Sequence, residues 1–208
     1  MALAISSMIG LILLATPIVG ILFEHGRFTR LDTLHTAKAL TIFALGLPAY
    51  MMTKTLAPFF YARGDTTTPV KIAVVGVVLN AIMAITFMSF WGYAGIALAT
   101  SISVWINAAQ YMFRLAHRGD FRLDAIFKYR MIRIIASGMI MGILIGGIKQ
   151  VVALYLPNWE HGGGVLSILV LAGVIGVGCV AFLGVLILSG GIPMKQIKAI
   201  LAHRSLSE

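Results

Sequence analysis

Residues Val165 to Leu188 read VLSILVLAGVIGVGCVAFLGVLIL, a run of 24 positions without one charged side chain. An α-helix rises about 1.5 Å per residue, so a helix of this length crosses the ~30 Å of hydrocarbon in a bilayer. The rest of the chain is built the same way. Of 208 residues, 60% are hydrophobic and 11% charged, with a mean hydropathy of +0.98. Soluble domains carry roughly 25% charged residues, so this composition cannot furnish a water-facing surface. Five further apolar segments can be drawn, Leu3–Leu22, Ala39–Tyr61, Ile72–Phe90, Tyr93–Phe113 and Ile134–Leu156. A segment in lipid must satisfy its own backbone hydrogen bonds, and these runs are too long and too unalternating for barrel strands. The fold expected is an all-α polytopic membrane bundle of about six transmembrane helices.

The connectors sort by charge. Six crossings put both termini on one side. That side holds Arg63 and Lys71, then Arg114, Arg118, Arg122, Lys128, Arg130 and Arg133, then Lys195, Lys198 and Arg204. The opposite side holds Arg27, Arg30 and Lys38 with Glu24, Asp32 and Glu160. The positive-inside rule makes the cation-rich side cytoplasmic, and with it both termini. Taken alone, the first hairpin would favour the reverse, since its cations follow the first helix. Met1 to Leu22 has no positive n-region and no cleavage site, so it is expected to be an interior helix of something longer, not a signal peptide.

The net charge of +9 invites a nucleic-acid reading. It fails, because the cations sit in short juxtamembrane connectors and no basic face alternates with aromatics. The lone Cys179 lies in an apolar run and has no partner for a disulfide or a metal site. No H-E-x-x-H, Walker or G-x-S-x-G pattern and no paired intrahelical carboxylates are present, and the five histidines fall in or near connectors on both sides. No catalytic set, metal site or cofactor is expected.

Local chemistry marks the boundaries. Thr68 before Pro69 predicts an N-cap and first helical position for the third span. Pro157 and Gly162 to Gly164 punctuate the last outer loop, with Tyr155 and Trp159 expected in the interfacial aromatic belt, as are Trp91 and Tyr93. The connector Ala116 to Tyr129 reads either as a short amphipathic helix on the inner leaflet or as a tethering linker. Gly138, Gly142 and Gly146 recur every fourth residue, a smooth strip on which a neighbouring backbone can pack, and Gly95, Ala99, Ser103 and Asn107 repeat the pattern. Asn80 and Asn107 have a packing reading and a cavity-lining one. Lys54 sits roughly seven residues inside the second span, where a cation is costly. It either snorkels to the headgroups or faces a water-filled cavity, where its ammonium would attract an anionic substrate such as a pyrophosphate. Pro48, earlier in that span, is a candidate kink or flexing point. Lys149 is read as a snorkelling residue. Arg63 and Asp65 are close enough to pair, as a solvated surface pair or as a gating latch.

Two stretches carry a resemblance. Leu22-Phe23-Glu24-His25-Gly26-Arg27-Phe28-Thr29 resembles the L-F-E-x-G-x-F-T segment after the ninth helix of the MurJ/MviN family. The stretch from Lys54-Thr55-Leu56-Ala57-Pro58-Phe59-Phe60-Tyr61-Ala62-Arg63-Gly64-Asp65 through Thr68-Pro69-Val70-Lys71 is similar to that family's K-x-L-x-P-x-F-Y-A-R-x-D-T-x-T-P-V-K signature. The resemblance implies a transporter of the multidrug/oligosaccharidyl-lipid/polysaccharide superfamily, with two six-helix lobes and a final helix pair. Residues 1–115 would then be the latter four helices of the C-lobe, 116–130 a basic cytoplasmic linker, and 131–208 the terminal pair with its basic tail. The implied function is flipping of lipid II, the undecaprenyl-pyrophosphate-linked peptidoglycan precursor, across the bacterial inner membrane. Its implied partners are that lipid, membrane lipids and the missing N-terminal lobe. The family associates the terminal pair with a groove for the substrate's lipid tail, while its main cationic cavity residues lie in helices this sequence lacks. The competing readings are another exporter of the superfamily and a non-transporting membrane scaffold.

Overall fold

The structure is a computed structural model that describes residues 1–117, 125–156, 159–160 and 164–188. Among these residues there are seven helices and no strands: α1 (Ala2–Phe23), α2 (Arg30–Ala44), α3 (Leu47–Tyr61), α4 (Thr67–Trp91), α5 (Tyr93–His117), α6 (Ala125–Tyr155) and α7 (Val165–Leu188). Taken end to end, α2 and α3 make one membrane-length rod, so six elements are long and apolar enough to cross a bilayer. The outer surface is oily. Ile85 and Ile143 are each 75% exposed. Such side chains covering whole helices are stable against lipid tails and untenable against water. The protein is a multi-span membrane protein.

The second span is where expectation and structure differ most. It begins at Arg30, nine residues before the expected Ala39, because a capping box opens it. The backbone N–H of Thr29 donates to Asp32 at 2.9 Å, and the Asp32 N–H donates back to the Thr29 hydroxyl at 3.4 Å. Arg30, Asp32 and Lys38 are therefore helical, not loop. The rod then breaks at Leu45–Gly46, two residues before Pro48, which occupies the first turn of α3. The Gly46 N–H turns to the Phe43 carbonyl at 3.0 Å, which leaves the Ile42 carbonyl without its intrahelical donor. Helix α5 supplies the replacement. Ser101 donates to the Ile42 carbonyl at 2.7 Å, and one turn on, the Trp105 indole donates to the Leu45 carbonyl at 3.0 Å. The second span is thus interrupted just ahead of Pro48, and the interruption is pinned by a neighbouring helix.

The turn from α3 to α4 is a Schellman motif. Gly64 takes φ +72°, its N–H donates to the Tyr61 carbonyl at 3.0 Å, and the Asp65 N–H donates to the Phe60 carbonyl at 3.0 Å. Helix α4 starts at Thr67 with Thr66 at the N-cap position, and the capping side chain is that of Asp65, where Thr68 was expected. The Asp65 carboxylate accepts the Thr68 N–H at 3.0 Å and the Thr68 hydroxyl at 2.8 Å. A carboxylate outcompetes a hydroxyl here because it is charged and offers two oxygens to the positive end of the helix.

Helices α4 and α5 form the most extensive pairing. Gly95 lies against the Phe87 backbone, and Ser103 donates to the Gly76 carbonyl at 2.8 Å. Ala99 is fully buried, as its place in the small-residue pattern requires. Helix α1 is the hub, touching α2 and α3 on one side and α6 and α7 on the other. Of the α6 strip, Gly138 and Gly142 receive Ile9 of α1, whereas a Cβ at Gly146 would enter open space among the described residues. Helix α6 also starts well before Ile134. Residues 125–130 of the basic connector are already helical and continuous with the span, while 118–124 lie outside the described residues, as do Lys195, Lys198 and Arg204.

Candidate functional site

The clearest concavity lies between α1, α6 and α7. It is a slot of about 370 Å³, within the ~300–1,000 Å³ range of ligand pockets. Leu11 and Leu14 of α1, Met141 and Ile145 of α6, and Ile175 and Phe182 of α7 line it. The walls exist because small residues let the helices approach. Gly178 of α7 faces Ile145, 2.8 Å from where a Cβ would sit, and Gly138 meets Ile9 at 2.6 Å by the same measure. Among the described residues of the lining, only Ser6, Ser7 and Cys179 have polar side chains. A slot of this character discriminates by shape and hydrophobicity, and suits a hydrocarbon chain. The sequence pointed to the terminal pair but not to α1 as the third wall; the glycine spacing on α6 signalled close packing without naming its partner.

The polar candidates fall elsewhere. Lys54 is exposed on α3, with its ammonium 5.3 Å from the centroid of the Tyr50 ring, one turn earlier. That is cation–π distance, and the pair stands on a face not covered by the described helices. Pro48 lies buried at the start of the same helix, facing the bundle. Asn80 and Asn107 are half-buried on α4 and α5, and the amide oxygen of each is buried without a hydrogen-bond partner. Asn107 packs directly over Gly76, so closely that a Cβ there would collide with its amide. Neither asparagine is among the residues that line the slot. Arg63 and Asp65 share the α3–α4 turn, where the Asp65 carboxylate accepts the Thr68 N–H and hydroxyl. A second hollow of about 520 Å³ follows Gln110, Phe113, Arg114 and His117 along the last turns of α5.

The opposite end of the bundle departs from expectation twice. Trp159 is 4% exposed and belongs to the core with Leu14, Ile21 and Met141, so it is no belt residue; Tyr155, 82% exposed, stands free of the core. Lys149 does not snorkel alone: its ammonium lies 3.2 Å from the Glu160 carboxylate. The hydrophobic gain of burying an indole outweighs its preference for the interface once α1, α6 and α7 offer a cleft.

Comparison with known proteins assigns this architecture. A family model described as "Lipid II flippase MurJ" matches residues 1–183. A probable lipid II flippase MurJ of Vibrio cholerae is 33% identical over 95% of this chain and 37% of its own length. One from Rickettsia prowazekii is 37% identical over 74% of this chain and 30% of its own. A solved structure, "Lipid II flippase MurJ, inward closed conformation", superposes with a TM-score of 0.62 at 31% identity, covering 89% of this chain and 37% of that one. The chain thus spans about a third of the length of these relatives.

Proposed function

Because this chain belongs to the MurJ lipid II flippase family, we propose that it is the C-terminal part of a transporter that moves lipid II from the inner to the outer leaflet of the bacterial cytoplasmic membrane. The observation that carries this reading is the family match over residues 1–183, which runs from the first span into the last. In this reading residues 1–115 are four helices of the C-lobe, 116–130 the cytoplasmic linker and 131–208 the terminal pair with its tail. The Arg63 end of the bundle faces the cytoplasm and the Glu24 end faces outward, as the distribution of cations favours. An N-terminal lobe completes the transporter, and rocking of the two lobes gives alternating access to a central cavity.

The geometry divides the work. The slot between α1, α6 and α7 takes part of the polyprenyl tail, because its lining is almost wholly apolar and, within a bilayer, close packing against such walls rather than escape from water favours a chain there. Lys54, held against Tyr50 on the uncovered face of α3, meets the anionic head from the C-lobe side. A cation on that face is stable only where water or an anion reaches it, which favours a cavity over lipid. The kinked second span, fixed through Ser101 and Trp105, keeps this lysine at a defined depth. The test is a leaflet assay in cells depleted of their own flippase. The completed transporter exposes lipid II to an enzyme added outside, and the 208-residue chain alone does not. Failure of the completed transporter to expose lipid II would return the protein to the exporter or scaffold class.

A further inference from the structure

At the Glu24 end, three observations converge on one turn. Trp159 is buried, yet its indole N–H has no hydrogen-bond partner. The Glu160 carboxylate is paired with Lys149 of α6 at 3.2 Å, their side chains 21% and 30% exposed. The Glu160 carbonyl presses on α1 at Gly20, where any Cβ would collide with it. On α1 the slot lining ends at Ile18, so this turn sits immediately beyond the slot's last residue. Burial of the indole and the Lys149–Glu160 attraction hold the turn down, while the unpaired indole donor and the desolvation of the ion pair offset part of that gain, so the closed arrangement is not strongly favoured over an open one.

We propose that the Trp159–Glu160 turn is a releasable strap. Locked by Lys149 and seated on Gly20, it ties the terminal helix pair to α1 and closes the outer end of the slot. The regulatory part of this inference rests on the slot being the site of a lipid tail; the strap itself does not. Opening the strap lets α6 and α7 part from α1 at that end, and a tail enters or leaves lengthwise. A glycine at position 20 and a carboxylate at position 160 then serve the same turn, the first beneath its backbone carbonyl and the second as the partner of Lys149.

The test uses the full chain in lipid nanodiscs with Trp91→Phe, so that Trp159 is the tryptophan within reach of aqueous iodide; Trp105 lies midway along α5, inside the bilayer. Lys149→Glu and Glu160→Lys should each raise iodide quenching several-fold, and the double reversal should bring it back to the parent level. Equal quenching in all four proteins, or a double reversal no better than the singles, overturns the strap. Photolabelling with a polyprenyl-phosphate analogue separates the two readings. Labelling of the slot that is the same in the parent and in the single reversals overturns the strap's control of the slot. No labelling of the parent removes the tail-binding reading, and the quenching result still decides the strap.

Discussion

Placing a methyl group at Gly76 probes the close α4–α5 seam. The Cβ of Gly76→Ala would lie 2.7 Å from the Asn107 Cγ and nearer still to its amide atoms, and the Gly76 backbone cannot retreat while Ser103 holds its carbonyl at 2.8 Å. Overpacking of this kind costs about 1–3 kcal/mol, whereas replacing a helical glycine by alanine returns ~1 kcal/mol, so the single variant should lose between roughly 0 and 2 kcal/mol. Asn107→Ala removes the colliding group together with an amide oxygen that is buried without a partner, and should be neutral or stabilising. Combined, the two changes leave only the helix-propensity gain. The double variant should therefore be more stable than Gly76→Ala by about 1–3 kcal/mol, a coupling that independent sites do not show. Unfolding in mixed micelles, followed by helical signal against detergent fraction, measures all four corners of the cycle. Additivity within about 0.5 kcal/mol would refute the packing of Asn107 on Gly76. It would also revive a cavity-lining role for that asparagine.

The remaining predictions concern the kink, the cap and the lysine. Ser101→Ala leaves the Ile42 carbonyl unpaired at the helix break and should cost about 1 kcal/mol, near the range measured for hydrogen bonds within membranes, on the same unfolding assay. Asp65→Ala removes the acceptor for the Thr68 N–H and should cost about 1–2 kcal/mol; Asp65→Asn, which keeps an acceptor oxygen, should cost less. Lys54→Ala in the completed transporter should lower lipid II exposure without lowering expression, and Lys54→Arg should retain more activity. Unchanged flipping in Lys54→Ala would mean that the lysine serves only the headgroup region.

The number of crossings was legible from hydropathy alone, because Val165–Leu188 and its five counterparts admit no other stable home than lipid. What hydropathy could not show was the origin of the second span at Arg30. Thr29 and Asp32 spell a capping box, but Arg30, Asp32 and Lys38 outweigh it in any hydropathy window. Pro48 drew attention to the segment in which the span is interrupted, while the fastening of that break by Ser101 and Trp105 depends on residues some sixty positions away, beyond any local pattern. The same holds for the slot. Gly138 and Gly142 announce a close neighbour, yet only the fold shows that the neighbour is α1. Trp159 misled because interfacial tryptophans are common, and its burial rests on a cleft built by three helices distant in sequence. The signature from Lys54 to Lys71 fixed the family, and the structure explains part of it: Gly64 and Asp65 make the turn, and Asp65 caps the helix after it.

The proposed direction of transport, the side from which Lys54 is reached and the outward position proposed for the Trp159 turn all depend on which end of the bundle faces the cytoplasm. In a Cys179→Ser background, Arg27→Cys and Ala62→Cys place single thiols at exposed positions on the two ends. A membrane-impermeant maleimide added to intact spheroplasts should label Arg27→Cys, and should label Ala62→Cys only after lysis. Labelling of Ala62→Cys from outside, or of both thiols from the same side, would contradict the account.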